Sequence, residues 1–454
     1  MNTFGAKLAA ARAAGAVSRR AGRGGTSLPG RLLMRLEPRA IGRLAARLER
    51  GSVVISATNG KTTTAQMAAA ILERSGARLV HNRAGANMAG GVAATLAAAA
   101  RPGRRMDGDL GVFEVDEFWL GQVAADLHPR ALLLANLFRD QLDRYGELDT
   151  IADRWAHVAS TTHGRLVLNA DDPAVADLGR ERIGTLYFGL QDRTVALPGM
   201  QHAADAKHCR RCGAPYRYDA VFLGHLGHYH CDSCGARRPD PKVQAQDVVL
   251  EGIRSARFTL ATPQGSVPVR IGLPGLYNVY NALGAAALTL AVGTPLRDVQ
   301  AGLEAVAPAF GRAETMRVGD RELSILLVKN PAGANEVLRT LVLEPGDHDL
   351  LAVLNDRIAD GRDVSWVWDA DFEVLAPRVR RVTCSGTRAE ELALRLKYAG
   401  VPVERIAVQP QLGQALDAAL AGANGRLLAL PTYTAMLELR EQLVARGAAR
   451  GSFA

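Results

Sequence analysis

One stretch limits this chain more than any other: the apolar run VVIS at 53–56, then ATNGKTTT, then a helix-forming segment that ends at Gly76. A strand that turns at once into a helix gathers backbone N–H groups and a helix N-terminus at one point, and Lys61 adds a cation there. An anionic phosphate needs all three. Gly60, Lys61, Thr62 and Thr63 form the turn, with Thr58 and Asn59 leading into it, and the Thr62 hydroxyl is suited to Mg²⁺ beside a phosphate. The eight-residue nucleotide loop has a glycine five places before Gly60, where this chain has Ile55, so the loop is a shorter variant.

Strands and helices alternate from there on. LGVFEVDE at 110–117, ALLLANL at 131–137 and RLVLNADDP at 165–173 read as further strands, which predicts a parallel sheet wrapped by helices. A second alternating region follows residue 315, with LSILLVKNP, DLLAVLND, RVRRVTCSG and GRLLALPTY as strand candidates. At 454 residues the chain is too long for one core. The expected architecture is α/β: a basic helical arm over 1–50, a central domain over 51–310 and a smaller C-terminal α/β domain over 315–454.

Residues 205–240 interrupt the alternation. Cys209 and Cys212, then Cys231 and Cys234, make two C-x₂-C knuckles eighteen residues apart. That spacing predicts an inserted zinc ribbon in which four thiolates close a tetrahedron. Four protein ligands leave no open coordination position, so the site reads as structural. His208, His228 and His230 crowd the knuckles as bystanders, and Cys384, the fifth cysteine, reads as a buried thiol at a strand end. The alternate Trp366 and Trp368 read as core.

Charge is uneven. Residues 1–50 hold eleven of the 55 Lys/Arg and two of the 46 Asp/Glu, which leaves 44 of each sign in the remainder. A neutral body with a basic arm argues against nucleic acid as partner and fits an anionic membrane surface or a solvated helix face. The segment 26–50 reads as one unbroken amphipathic helix. No apolar run approaches the roughly 18 residues of a membrane span, and cysteines in zinc spacing fit a reducing compartment, the cytoplasm by default.

Several motifs then fall in order. The short TNGKTT loop, FEVDE with Glu114 or Glu117, ANLFRDQLDRYGELDTIA with Asn136, Asp140, Asp143 and Arg144, LNADDP, LPGLYNVYNALGA with Asn278 and Asn281, and GRAE at 311–314 together resemble the Mur ligase and folylpolyglutamate synthetase superfamily. Gln141 departs from the histidine usual at its position. Within the superfamily, the four-cysteine insertion, GRGGTSLPGRL near the start, and the pair VKNPAGANEVL and NDRIADGRDVSWVWD resemble the MurT type, the ligase subunits of lipid II isoglutaminyl synthase.

The resemblance implies ATP-dependent amidation of the α-carboxylate of D-glutamate in a peptidoglycan precursor, through an acyl phosphate. It implies ATP held by Thr58 to Thr63, Asn278, Asn281 and Arg312, and Mg²⁺ held by Thr62 and Glu114. Lys61, Glu114 and Arg312 then assist phosphoryl transfer. Ammonia would come from a GatD-like glutaminase partner, whose catalytic histidine Asp363, or Asp360, would orient, although aspartates in such a loop also cap helices. Competing expectations are a ligase that adds an amino acid and a zinc-ribbon ATPase that binds nucleic acid. The first lacks its usual C-terminal motif here, and the second lacks a basic body.

Overall fold

The computed structural model describes residues 3–20, 27–82, 86–140, 148–202, 204–307 and 312–449. Two large sheets organise it. The first contains β1 (Ser52–Ser56), β2 (Leu79–His81), β3 (Leu110–Glu114), β4 (Ala131–Leu134), β5 (Arg165–Asn169), β6 (Leu186–Leu190), β9 (Val243–Glu251), β10 (Ser255–Thr262) and β11 (Gly265–Ile271). Their spatial order is β11-β10-β9-β6-β5-β4-β1-β3-β2. From β9 to β2 every pairing is parallel, and β10 runs antiparallel to both its neighbours.

The parallel strands are apolar because both faces are covered. Val53 and Ile55 point into a core formed with the helices Lys61–Arg74, Leu276–Ala291 and Leu296–Glu304, while Val54 points into a second core with Ala89–Ala99, Leu120–Leu127 and Leu148–Thr161. Each such side chain, fully removed from water, contributes about 1.5–3 kcal/mol. β1 lies centrally, between β3 and β4, so its C-terminal end opens where the chain leaves the middle of the sheet, the usual ligand position in such folds.

The second sheet orders β12 (Arg312–Val318), β13 (Arg321–Leu326), β14 (His348–Val353), β15 (Val379–Ser385), β16 (Ile406–Val408) and β17 (Arg426–Pro431) as β12-β13-β17-β14-β15-β16. Its two faces carry separate apolar clusters. Between β6 and β9 the chain makes a two-stranded hairpin, β7 (Arg217–Leu223) and β8 (Leu226–His230), next to the cysteines.

The arm departs from expectation. A helix at Thr3–Arg20 packs Phe4, Leu8 and Ala11 into the body, and Arg12 donates to the carbonyls of Ala97 and Ala100 at the end of the helix Ala89–Ala99. The segment 26–50 is not one helix. Leu28–Leu36 ends at Glu37, which is extended (φ −146°, ψ 91°), and Ala40–Ala45 starts anew. Pro38 is the cause, because its ring disfavours helical backbone at the residue before it. The core reading of the tryptophans also fails for Trp368, which is 50% exposed against Tyr398. Cys384 is fully buried in β15, and burial pushes its thiol up to about 12.

Candidate functional site

The turn after β1 is built around Gly60. Its φ of +83° is left-handed, and a Cβ placed there would lie 2.0 Å from Asn281 Oδ1. Only glycine meets both conditions. Asn281 is held in turn: its amide donates to Asn278 Oδ1 (2.9 Å), the Asn278 amide donates to the Pro274 carbonyl (2.7 Å), and the Thr64 hydroxyl donates to Asn281 Oδ1 (3.2 Å). On the other side Asn136 clamps the loop. Its Oδ1 accepts from the Asn59 N–H (2.9 Å) and its amide donates to the Asn59 carbonyl (3.0 Å). Thr58 is buried, and its hydroxyl oxygen accepts from the Phe138 N–H (3.1 Å). Thr58 and Asn59 thus shape the loop through internal bonds, while Thr62 and Thr63 ride on the first turn of the helix Lys61–Arg74.

Carboxylates surround Lys61. Its ammonium pairs with Glu117 Oε2 at 2.8 Å and also reaches the Ala57 carbonyl. Burial would lower its pKa, but Glu117, Asp116 and the more distant Asp140 outweigh burial and hold it above the ordinary lysine value. Glu114, which pairs in register with Ile55, is different. Its backbone is fixed by Asn82 on both sides, yet its carboxylate is buried and neither oxygen has a hydrogen-bond partner. A buried carboxylate without a donor is costly unless a ligand completes it. Beside a phosphate loop it fits a divalent cation with oxygen ligands such as Mg²⁺.

The second sheet's domain closes over the loop. Asn330 Nδ2 donates to Asn59 Oδ1 (2.9 Å), and Asn330 Oδ1 accepts from the Gly333 N–H (2.9 Å), which caps the helix Pro331–Val342. Lys329 pairs with Asp140 and donates to the Thr58 carbonyl (3.3 Å). Between the domains lies a cavity of about 980 Å³, counting its open mouth, with Gly60, Thr63, Asn136, Asn278 and Asn281 on one wall and Ala332, Gly333, Glu336 and Val337 on the other. Leu223 and Leu226, at the tip of the β7–β8 hairpin, form part of its floor. A second, smaller cavity connects Asp140, Lys329 and Asn330 with Asp360 and Asp363.

Sequence reasoning missed Lys329, Glu336 and the Lys61–Glu117 pair. Asn330 before Pro331 is a legible helix start, a capping residue followed by proline at the first helical position, and would have drawn attention to its neighbours. Arg312 opens β12, but its side chain lies outside the described residues, as do Gln141, Asp143, Arg144 and Gly311. Asp360 is buried and accepts from the Thr434 N–H (2.7 Å) and the Thr434 hydroxyl, next to the helix Tyr433–Ala445. Asp363 is exposed, and one of its oxygens accepts from the Ser365 N–H (2.8 Å).

The four cysteines converge, with their sulfurs all within 4.8 Å of one another. The two knuckles fold alike. Cys209 N–H donates to Ala214 and Gly213 N–H to Cys209, while Cys231 N–H donates to Ala236 and Gly235 N–H to Cys231; both glycines have positive φ. The cluster can hold a metal ion, and no histidine is among the ligands. Arg210 pairs with Asp149 and Asp153, and Arg211 with Asp177, so the first knuckle is tied to the central domain.

Known proteins resemble this chain in sequence and fold. A family model for the Mur ligase middle domain matches residues 55–212, and one for the MurT ligase C-terminal domain matches 327–436. The chain is 33% identical over 427 residues, 94% of each chain, to the lipid II isoglutaminyl synthase (glutamine-hydrolyzing) subunit MurT of Staphylococcus aureus (strain N315). It is 33% identical to the subunit of that name from Streptococcus pneumoniae (strain ATCC BAA-255 / R6) over 97% of this chain and 96% of the relative. Among solved structures, a pseudomurein peptide ligase type C from Methanothermus fervidus shares the fold, with a TM-score of 0.68 and 24% identity over 88% of this chain and 79% of that one.

The Gly60 geometry yields a direct test. Gly60→Ala should weaken MgATP binding at least ten-fold by calorimetry, because left-handed backbone costs a non-glycine residue about 1–2 kcal/mol and the new methyl displaces Asn281. Wild-type affinity in that variant would refute this account of the loop.

Proposed function

This chain belongs to the MurT family of Mur-type ligases, and on that premise we propose that it amidates the α-carboxylate of the D-glutamate residue in the peptidoglycan precursor lipid II, using ATP. The observation that carries this reading is the partnerless, buried Glu114 carboxylate beside a phosphate loop and the Lys61–Glu117 pair. In the proposed reaction the γ-phosphoryl group of ATP passes to the carboxylate, giving an acyl phosphate and ADP. Ammonia then bonds to the carbonyl carbon and the C–O bond to phosphate breaks.

Such a transfer needs positioning and charge neutralisation more than covalent help. The N–H groups at the start of the helix Lys61–Arg74 cradle the phosphates, and Lys61 exchanges Glu117 for phosphate oxygens. Asn278 and Asn281 fix the loop against which the nucleotide rests. Arg312 adds a cation from the C-terminal side when the domains close. Thr62 and Glu114 would hold Mg²⁺, which when bound neutralises phosphate charge. The test is an amidation assay with lipid II, MgATP and ammonium at raised pH, with the product read by mass spectrometry. Wild type should convert the substrate and Thr62→Ala should fold normally but lose nearly all turnover. Unchanged turnover in Thr62→Ala would remove the assignment of the loop.

The metal of the four-cysteine cluster is proposed to be zinc. Sulfur–sulfur separations of 3.5 Å (Cys212–Cys231) and 3.6 Å (Cys209–Cys234) approach the edge of a tetrahedron with Zn–S bonds of about 2.3 Å. One zinc per chain is expected by elemental analysis of protein purified without chelator. Cys231→Ser should lower the melting temperature, since metal binding here is folding energy. A metal-free preparation with wild-type stability would contradict this.

Ammonia is proposed to come from a GatD-like glutaminase subunit. The buried, unactivated Cys384 offers no nucleophile of the chain's own. Asp363 is the choice to orient the partner's catalytic histidine. Its carboxylate is exposed, and hydrogen bonds from the Ser365 side chain and N–H hold it below the usual carboxylate range. Asp360 is engaged by Thr434, and Asp356 by Thr387 and Arg388, which supports Asp363 over both. The cavity shared by Asp363, Lys329 and Asn330 supports a short route for ammonia. No helix among the described residues is long and apolar enough to cross a membrane. Work at the inner membrane face, on lipid-linked or soluble precursor, with the basic arm toward anionic lipid, completes the proposal. In the assembled complex Asp363→Asn should abolish glutamine-dependent amidation and spare the ammonium-driven reaction. Intact glutaminase activity in that variant would refute the role.

A further inference from the structure

Glu336 has no part in the chemistry above, yet it occupies a costly position. It lies on the helix Pro331–Val342 with Ala332, Gly333 and Val337 on the face that walls the large cavity. It is 2% exposed, and neither carboxylate oxygen has a well-formed hydrogen bond, the Tyr277 peptide N–H being the one donor that acts on it. Arg339, 3.8 Å from Oε1, directs its own donors elsewhere, to the carbonyls of Phe222 (2.9 Å) and Val195. The cavity that Glu336 lines is also bounded by Phe138, Leu223, Leu226, Tyr277 and Val337, a setting for a flat, largely apolar group. Burial raises the Glu336 pKa to about 7, and Arg339 and the Tyr277 peptide group oppose this only in part.

Position along the helix suggests what completes the site. Asn330, at the helix N-terminus, touches the phosphate loop through Asn59. Glu336 is six residues further on, about 9 Å along the axis at 1.5 Å per residue. Gly60 and Glu336 line the same cavity, so a nucleotide with its phosphates on the loop would have Glu336 within the reach of its nucleoside. A carboxyl group at that depth accepts hydrogen bonds. A nucleoside offers two kinds of donor, the exocyclic amine of the base and the ribose hydroxyls.

We infer that Glu336 is a specificity residue of the nucleotide site, whose carboxyl accepts a hydrogen bond from the nucleoside and so selects the nucleotide from the C-terminal domain's side. This rests on the reading of the cavity as the ATP site. It explains why a buried carboxyl with neither oxygen in a well-formed hydrogen bond persists, since such a group destabilises the free protein and ligand would complete it.

The test compares wild type, Glu336→Leu and Glu336→Gln by calorimetry with four Mg²⁺-bound probes: ATP, inosine triphosphate, 2′,3′-dideoxyATP and inorganic tripolyphosphate. Glu336→Leu should bind ATP at least ten-fold more weakly and tripolyphosphate as wild type does, while melting at or above the wild-type temperature without ligand. Glu336→Gln, which keeps an acceptor, should retain most of the ATP affinity. If the amine is the donor, wild type binds inosine triphosphate at least ten-fold more weakly than ATP; if the hydroxyls are, dideoxyATP is the weak one. In either case that preference should vanish in Glu336→Leu. Undiminished ATP affinity in Glu336→Leu, an equal loss for tripolyphosphate, or a nucleoside preference that survives the substitution would each overturn the inference. Failure of wild type itself to bind ATP would instead overturn the nucleotide reading beneath it.

Discussion

The contact between Gly60 and Asn281 holds the site together. The loop after β1 must turn sharply enough to aim its N–H groups outward, and Gly60 does this in left-handed backbone with Asn281 packed against its Cα. Asn281 sits on the helix Leu276–Ala291, whose other faces are buried in the core beneath the parallel sheet. The apolar packing of that helix, summed over Leu283, Ala286, Leu288 and their neighbours, thus fixes one amide to the loop. Asn136 fixes it from the opposite side. A phosphate arriving at this loop finds donors already oriented, and little further ordering opposes binding.

Polar contacts join the two domains at the loop and beyond it. Across the cleft run two amide–amide hydrogen bonds between Asn59 and Asn330, of 2.9 and 3.3 Å, and the Lys329–Asp140 pair. Neutral hydrogen bonds contribute about 0.5–1.5 kcal/mol each, and a partly exposed ion pair contributes on the order of 1 kcal/mol or less. Away from the loop, Arg339 donates to the Phe222 and Val195 carbonyls and the Ile253 N–H donates to Glu344, so the domains are joined at several further points.

Much of this was legible in the sequence, and the reasons are physical. β1 and its turn announce themselves because a buried parallel strand is a continuous apolar run and because glycine before lysine at a helix start has few other uses. The cysteine knuckles were equally plain, since ligand spacing is local and both turns close within six residues, as the matching Cys209 and Cys231 bonds show. What stayed hidden was long-range. Nothing near Lys61 in the chain identifies Glu117, 56 residues away, as its partner. Glu336 looks like an ordinary helix-surface glutamate until the fold brings the cavity to it. The unbroken helix expected over 26–50 failed at Pro38, a local signal that the apolar periodicity had overridden.

Two carboxylates among the described residues are buried with neither oxygen in a well-formed hydrogen bond, Glu114 and Glu336. They belong to different domains: Glu114 ends β3 beside β1 and its loop, and Glu336 lies on the helix that closes over the loop and lines the large cavity. Each unsatisfied buried group costs about 1–3 kcal/mol, a large fraction of the 5–15 kcal/mol by which a typical domain is stable. Both costs fall beside the phosphate loop or on the cavity that the loop lines, rather than within the apolar cores. Such a concentration is expected where bound ligand, not the protein itself, completes the polar groups. The free protein is then less cohesive than its complex, and closure, cation binding and nucleotide binding reinforce one another because each satisfies groups that the others leave bare.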